Sequence, residues 1–455
     1  MSAPIAHPER TRLEPWVLRR AGARDEAGLR RHQLRALRAT VRRAKESSRF
    51  YARRLHDVDP DGLADLAGVA GLPFTTADDV RSSGMDMLGV RQGEVERIVT
   101  LPTSGTTGDP KRIFFTAADQ ELTIDFFEHG MSVLVEPGDR VLILLPGERP
   151  GSVGDLLRRG LARMQVEGVV HGPVRDVCRT LAALEAGRFD AVVGIPVQVL
   201  GLARRSVAEG PAVRLKSVLL STDHAPRSLV AAIEDAWGCR VFDHYGTTEM
   251  GLGGGVECEA HMGYHLREAD LLFEVVDIET GAPVPDGHCG EVVFTTLTRE
   301  AMPLIRYRTG DYSRFVPRPC PCGSWLRVLD TVRTRVAGRV RLKNGEMLDL
   351  AAIDEALFAL PDVADCHVRL SEDRGTLSVE VLAASFRDRG VAQRDGLDAL
   401  SRRAVAALEA VPAIGSAVRV GHLDLRATAG TAAWPGSDGT AKRMLKTSEH
   451  TEEPG

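Results

Sequence analysis

At 455 residues with 43% hydrophobic and 27% charged side chains, the chain has apolar material for two or three domains, not one, and is not a disordered or fibrous sequence. A formal net charge of −5 and a sequence pI near 6.3 exclude bulk attraction to nucleic acid or to an anionic membrane. Seven unevenly placed cysteines in this length exclude a secreted disulfide framework. Arg30, Arg31, Arg35, Arg38, Arg42 and Arg43 are interspersed with Leu29, Leu34, Leu37 and Val41, which predicts an amphipathic helix with a solvated basic face. No aromatic or glycine interleaving makes it a nucleic-acid arm. The first ten residues lack the order of a signal peptide, and apolar runs such as 141–145 are too short to span a bilayer. The expectation is a cytoplasmic protein without membrane or nucleic-acid partners.

From about residue 68 to 241, short apolar runs alternate with helical patterns. Strands are expected over 140–145, 191–194 and 217–221, with helices over 174–186 and 228–237, the pattern of an α/β region on parallel sheets. After residue 263 the strands lengthen, 271–277 and 290–296 around a turn-rich 279–287, and read as a β-rich subdomain. Beyond residue 330 the order is helix 349–360, strands 365–370 and 376–382, helix 396–410 and strand 417–423, a small α+β domain of ferredoxin-like type. The Gly, Ala, Thr and Ser of 427–439 predict a mobile loop. The division expected is 1–332 as a large N-terminal domain, 333–340 as a hinge and 341–455 as a small, mobile C-terminal domain.

Thr103-Ser104-Gly105-Thr106-Thr107-Gly108-Asp109-Pro110-Lys111 is the strongest local signal. Small hydroxyl and glycine residues let backbone N–H groups and hydroxyls wrap phosphate oxygens, and Lys111 adds positive charge. The spacing is not that of a P-loop, and 112–116 reads as a strand where a P-loop would open a helix. Phe242-Asp243-His244-Tyr245-Gly246-Thr247-Thr248-Glu249 combines a ring that can stack on a purine, a hydroxyl that can bind phosphate and a carboxylate that can hold Mg²⁺. Arg306-Tyr307-Arg308-Thr309-Gly310-Asp311 places a carboxylate after a tight turn, suited to the two hydroxyls of a ribose.

In this order the segments resemble the adenylate-forming superfamily of acyl-CoA synthetases, adenylation domains and luciferases, and most closely its phenylacetate–CoA ligase branch. Arg49-Phe50-Tyr51, Leu72-Pro73-Phe74-Thr75-Thr76 and Met302-Pro303-Leu304-Ile305, leading into Arg306, extend the match over nearly the whole chain. The resemblance implies a triphosphate loop at 103–111, an adenine-stacking Tyr245 within a nucleotide segment that includes His244 and Gly246, and a Mg²⁺ carboxylate at Glu249 beside Thr248. It implies a ribose carboxylate at Asp311, with Arg339 or, in a shifted register, Arg335 as the second ribose contact. The family's Gly-Arg hinge pair falls on Gly338-Arg339, but the acidic residues that usually follow are Val340-Arg341 here. The family's mobile-loop lysine meets Gly439-Thr440-Ala441-Lys442-Arg443-Met444, which offers two registers. One gives the role to Lys442; the other puts Thr440 there and leaves the role empty. Lys442 is preferred, because attack on an α-phosphate builds charge that a lysine stabilises; otherwise Lys442, Arg443 and Lys446 form a solvated basic tail.

Cys320-Pro321-Cys322-Gly323 is half of a zinc knuckle, and Cys258 with His265, or His261 in its place, would complete four ligands. The resemblance implies a Cys…His…Cys-x-Cys zinc site in this part of the fold, structural because four protein ligands leave no open position. Cys178, Cys239, Cys289 and Cys366 read as inert packing residues. The function implied is ATP- and Mg²⁺-dependent conversion of a small carboxylic acid, an aromatic one among the options, to acyl-AMP, followed by transfer to the thiol of CoA. The alternatives are transfer to an amine or a carrier protein, or a non-catalytic nucleotide-binding homologue. The run Gly251-Leu252-Gly253-Gly254-Gly255 either opens room for an aromatic acid or permits a tight turn.

Overall fold

The computed structural model describes residues 12–101, 110–209, 213–383, 391–431, 443 and 445–447. It divides into two compact units, the first made of 1–138, 147–168 and 242–332, the second of 139–146, 169–241 and 333–455. The hydroxyl loop 103–108, Thr440 and Lys442 lie outside the described residues.

In the first unit, helix Glu26–Ser47 starts where the Asp25 carboxylate accepts the Gly28 N–H at 2.7 Å. It buries Leu29, Gln33, Leu37, Thr40, Val41 and Ala44 along one stripe. Its arginines are not simply solvated, as the sequence suggested. Arg38 donates to the Leu63 carbonyl at 2.7 and 3.1 Å, Arg42 pairs with Asp61 at 2.6 Å, and Arg43 donates to the Arg299 carbonyl. Long side chains that lie along the surface end on partners that the one-dimensional pattern does not reveal.

Strands Arg97–Leu101 and Lys111–Phe115 pair antiparallel with Leu101 opposite Lys111, so 102–110 joins two strands as expected. Strands Leu271–Val276, Gly290–Thr296 and Tyr307–Ser313 form an antiparallel set. Gly255–Glu257, Tyr264–Leu266 and Val328–Leu329 form a second. A core containing Phe114, Phe273, Phe294, Leu304, Ile305 and Tyr307 underlies them.

The second unit carries parallel strands Arg140–Ile143, Ala191–Gly194 and Ser217–Leu220 in neighbouring order. Their near-continuous burial is that of strands covered on both faces. Helices Val177–Gly187, Pro196–Glu209 and Arg227–Trp237 accompany them. Toward the C-terminus, helix Leu350–Phe358 is capped by Asp349, and Val363–Leu370 pairs antiparallel with Thr376–Ala383. Two expectations change here. Residues 412–419 are helical, begun by Pro412 at the first turn, where its missing N–H costs nothing. The following strand is Asp424–Thr431, parallel to Thr376–Ala383, so the first part of the expected mobile loop is strand. Its alternating burial is a period-two signal that small residues conceal. Among the described residues no helix is long and apolar enough to cross a membrane.

Candidate active site

Strand Arg240–Tyr245 delivers the chain to a close turn. A Cβ on Gly246 would lie 2.5 Å from the Leu252 carbonyl oxygen, so only glycine fits. The Thr247 hydroxyl then accepts the Met250 N–H at 3.3 Å and caps the single turn Thr248–Met250. Glu249, in that turn, is buried and ion-paired with Lys111, the first residue of its strand. The Tyr307 hydroxyl donates to the same carboxylate oxygen at 3.0 Å and accepts from Lys111 Nζ at 3.3 Å. Burial pushes the Glu249 carboxyl up, but Lys111's charge and hydrogen bond, together with the Tyr307 hydroxyl, outweigh it and hold the group below the usual range. An ionised, buried carboxylate paired with a lysine and a phenol is a candidate cation ligand.

The Tyr245 ring stacks on Tyr264 with centroids 5.5 Å apart and planes 26° from parallel. Its hydroxyl donates to Asp311 Oδ2 at 2.9 Å. Instead of the tight turn expected, strand Tyr307–Ser313 runs on through Gly310, whose φ of +74° goes with a register shift against Gly290–Thr296 and precedes Asp311, whose N–H donates to Thr309 Oγ1. His244 packs near the Phe126 and Phe127 rings, and burial pushes it down to about 4, so its imidazole is neutral at pH 7.

Three segments quoted above meet behind Tyr307. Arg306, at φ +46°, makes two bonds to Glu274 at 2.9 and 3.1 Å, donates to the Ala70 and Leu72 carbonyls, and lies 4.0 Å over the Phe74 ring. Thr75 exchanges backbone hydrogen bonds with Arg306 and Arg308. The Tyr51 hydroxyl lies 2.9 Å from Thr75 Oγ1 and accepts from the Ile305 N–H at 3.0 Å. This buried network fixes the strand that presents both Tyr307 and Asp311.

The glycine run is filled by the protein itself. A Cβ on Gly253 would meet Phe126 at 2.2 Å, and one on Gly254 would meet the Met250 sulfur at 2.8 Å. At these two positions the missing side chains leave room for Phe126 and Met250.

Cys258, His265, Cys320 and Cys322 are all buried, and their ligand atoms lie within 4.8 Å of one another. Cys258 Sγ is 3.5 Å from Cys320 Sγ, and Cys322 Sγ is 3.4 Å from His265 Nε2. A tetrahedron with metal–ligand lengths of about 2.0–2.3 Å has edges of roughly 3.4–3.8 Å; the two distances just given match such edges, and the three thiols and one imidazole are a donor set of the kind zinc takes. His261 turns away, its Nδ1 3.2 Å from Glu257 and its ring beside Phe242.

Arg335 and Arg339 belong to the second unit, Arg335 exposed and Arg339 half-buried at the start of strand Arg339–Arg341. Arg443 is a correction: it is no solvated tail residue. Its side chain is 13% exposed and pairs with Asp354 at 2.6 Å and Asp365 at 3.2 Å, while its N–H donates to Asp223 at 3.0 Å. Its guanidinium also reaches the Cys366 carbonyl and sulfur at 3.0 and 2.9 Å, so Cys366 does more than pack. Burial, aided by Asp223 and Asp365 and opposed by Arg443, pushes Asp354 up to about 7. The sequence signal was Asp354 between the core positions Ile353 and Leu357, a buried carboxylate that demands a cation. Tyr307 was quoted only as part of a motif; nothing in its spacing announced a bond to Glu249.

Residues 79–297 match the family profile of AMP-binding enzymes. The chain is 30% identical over 390 residues to a phenylacetate–coenzyme A ligase of Thermus thermophilus, covering 80% of this chain and 83% of that one. It is 32% identical to one of Aromatoleum evansii, covering 83% and 86%. Among solved structures, 2-hydroxyisobutyryl-CoA ligase in the postadenylation state superposes with a TM-score of 0.77 at 20% identity, over 99% of this chain and 94% of that one. That likeness is one of fold.

Proposed function

Because the chain belongs to the phenylacetate–coenzyme A ligase family, we propose that it couples ATP cleavage to acid activation through the Glu249 and Asp311 centre. The enzyme is an AMP-forming acid–CoA ligase: it converts a carboxylic acid to acyl-AMP and passes the acyl group to the CoA thiol. The observation that carries the site reading is the convergence of Lys111 and Tyr307 on Glu249, with Tyr245 joined to Asp311 in the same unit.

In the first step an acid oxygen attacks the α-phosphorus of ATP, and the bond to pyrophosphate breaks. Asp311 accepts from the ribose hydroxyls, the Tyr245 ring faces the adenine, and Thr248 with 103–108 binds phosphate oxygens. Mg²⁺, held by Glu249, would neutralise charge on the departing pyrophosphate. Lys111 then leaves Glu249 for the phosphates, exchanging one anion for another. Lys442 stabilises the charge built at the α-phosphate. In the second step the CoA sulfur attacks the acyl carbon and AMP departs. The large domain 1–332, the hinge 333–340 with Gly338-Arg339 at its pivot, the small domain 341–455, and a ribose contact from Arg339 or Arg335 complete the reading.

Zinc on Cys258, His265, Cys320 and Cys322 is proposed as structural, supported by the fit of the four donors and the absence of an open position among them. ATP and CoA are intracellular co-substrates, which supports a cytoplasmic setting. An aromatic acid is proposed from the relatives' names. The test is a panel of aromatic and aliphatic acids scored for pyrophosphate release with and without CoA. AMP and acyl-CoA in equal amounts are expected, and acyl-AMP consumed only by an amine or carrier protein would overturn the choice of acceptor.

A further inference from the structure

The Tyr245 ring rests on a second aromatic ring, Tyr264, which has no part in the chemistry. Tyr264, in strand Tyr264–Leu266, is 2% exposed and stacks on one face of Tyr245, so a purine would take the opposite face. The Tyr264 hydroxyl donates to Asp243 Oδ2 at 2.6 Å. Asp243 stands two residues before Tyr245 in strand Arg240–Tyr245, on the same face by the two-residue period. Its N–H donates to Glu257 Oε2 at 3.0 Å, and Glu257 lies opposite Tyr264 in the strand pairing. Gly255 pairs with Tyr245, and a Cβ there would stand 3.0 Å from the Tyr264 Cβ and 2.8 Å from the His265 carbonyl oxygen. Glycine at that point lets the two strands bring the rings together.

Packing alone does not call for this arrangement. A phenylalanine in place of Tyr264 would fill the same space, and Asp243, 7% exposed, is a carboxylate withdrawn from water at a cost. The bond between the two fixes the position of the Tyr264 ring, and the stack passes that constraint to Tyr245. With Asp311 on its hydroxyl, Tyr245 is held at its tip and over one face. A platform already in place loses little freedom when its ligand arrives, which is how a supporting shell raises affinity.

We propose that Tyr264 is a positioning residue for nucleotide binding: it supports Tyr245 from behind, and Asp243 locks it there. The role rests on the reading of Tyr245 as the adenine platform.

The experiment measures pyrophosphate exchange, and AMP binding by calorimetry, in Tyr264→Leu, Tyr264→Phe and Leu37→Ala. Tyr264→Leu should raise the KM for ATP and the Kd for AMP about fivefold, the scale of one lost aromatic pair, while kcat and the KM for the acid hold. Tyr264→Phe keeps the stack but frees it from Asp243, and should raise both constants only about twofold. Leu37→Ala, a core truncation in helix Glu26–Ser47, should lower the melting temperature and leave both constants unchanged. In a Tyr245→Leu background, Tyr264→Leu should add nothing further to the KM for ATP, because the ring it supports is gone. Unchanged AMP affinity in Tyr264→Leu, a rise shared equally by Leu37→Ala, or full additivity in the double variant would overturn the proposal. If the leucine variant does not fold, Tyr264→Phe decides, and AMP affinity equal to wild type overturns it. Asp311→Ala tests the nucleotide reading separately: if it too leaves the KM for ATP unchanged, the reading of the whole centre fails with it.

Discussion

The Tyr245 hydroxyl donates to Asp311 Oδ2 at 2.9 Å, so the side chain assigned to adenine and the one assigned to ribose are linked before nucleotide arrives. Asp311→Ala should raise the KM for ATP by about tenfold or more, as expected for loss of a charged hydrogen-bonding group. Tyr245→Phe keeps the ring and should cost about 1 kcal/mol of stability with a much smaller change in KM. Pyrophosphate exchange and denaturant melts separate the two. Equal KM effects would mean that the phenol oxygen itself binds nucleotide.

Glu249 and Lys111 should separate by their response to pH. Glu249→Gln should suppress pyrophosphate exchange about 100-fold by weakening metal binding. The folded-state pKa of Glu249 lies below its ordinary value, so its contribution to stability is present above that value and lost as pH falls through the folded one. Lys111→Met removes the cause of the depression and leaves burial to push the group up. The variant should therefore lose stability relative to wild type as pH rises from about 4 toward 7, measured by urea unfolding. A constant difference across that range would reject the ion pair.

Metal analysis should find about one zinc per chain. Cys320→Ser and His265→Ala should each lower the melting temperature and the zinc content, while the rate of acyl transfer from added acyl-AMP changes little. His261→Ala should keep its zinc. Metal-free wild-type protein with the same melting curve would reject the site.

The socket around Arg443 makes a pH prediction with the opposite sign. Asp354 is raised to about 7 from an ordinary 3.8, so the folded state retains a proton that the unfolded chain has lost between those values. Its contribution should fall as pH rises through that window and level off above it. Asp354→Asn should flatten the profile, and Arg443→Ala should destabilise by about 3–5 kcal/mol by stranding buried carboxylates. Arg443→Ala is therefore no neutral neighbour with which to control a Lys442 variant.

The registers at the C-terminus are separable. Lys442→Ala should slow pyrophosphate exchange by about 100-fold, while thioester formation from synthetic acyl-AMP and CoA survives. If exchange is retained in Lys442→Ala, and Thr440→Lys accelerates it, the lysine position belongs to Thr440 and stands empty in this chain.

The elements whose periodicity is carried by large side chains were legible in the sequence: the parallel strands at 140–143, 191–194 and 217–220, and the strand Gly290–Thr296. Asp424–Thr431 was missed because Ala, Thr and Gly carry almost no hydrophobic contrast. The Cys-x-Cys spacing announced two of four clustered residues and the resemblance pointed to Cys258, but the sequence left His265 and His261 as alternatives that only the fold separates. What no spacing could disclose was pairing at long sequence separation. Lys111 meets Glu249 across 138 residues, and Arg306 meets Glu274 across 32 with its guanidinium over Phe74. Only the fold decides which charges are neighbours.

A metal held by the cysteine cluster would also act on the chain before it folds. Cys258 and Cys320 stand 62 residues apart, and the segment between them holds Glu274, Arg299, Arg306, Tyr307 and Asp311. A metal gripping both ends in the unfolded chain would close that segment into a ring. By the loop-entropy relation for cross-links, a ring of this size removes about 4 kcal/mol of conformational freedom from the unfolded ensemble. Refolding from a metal-loaded denatured state should then start with the strand that carries Asp311 already confined near its partners, and should run faster than refolding in chelator.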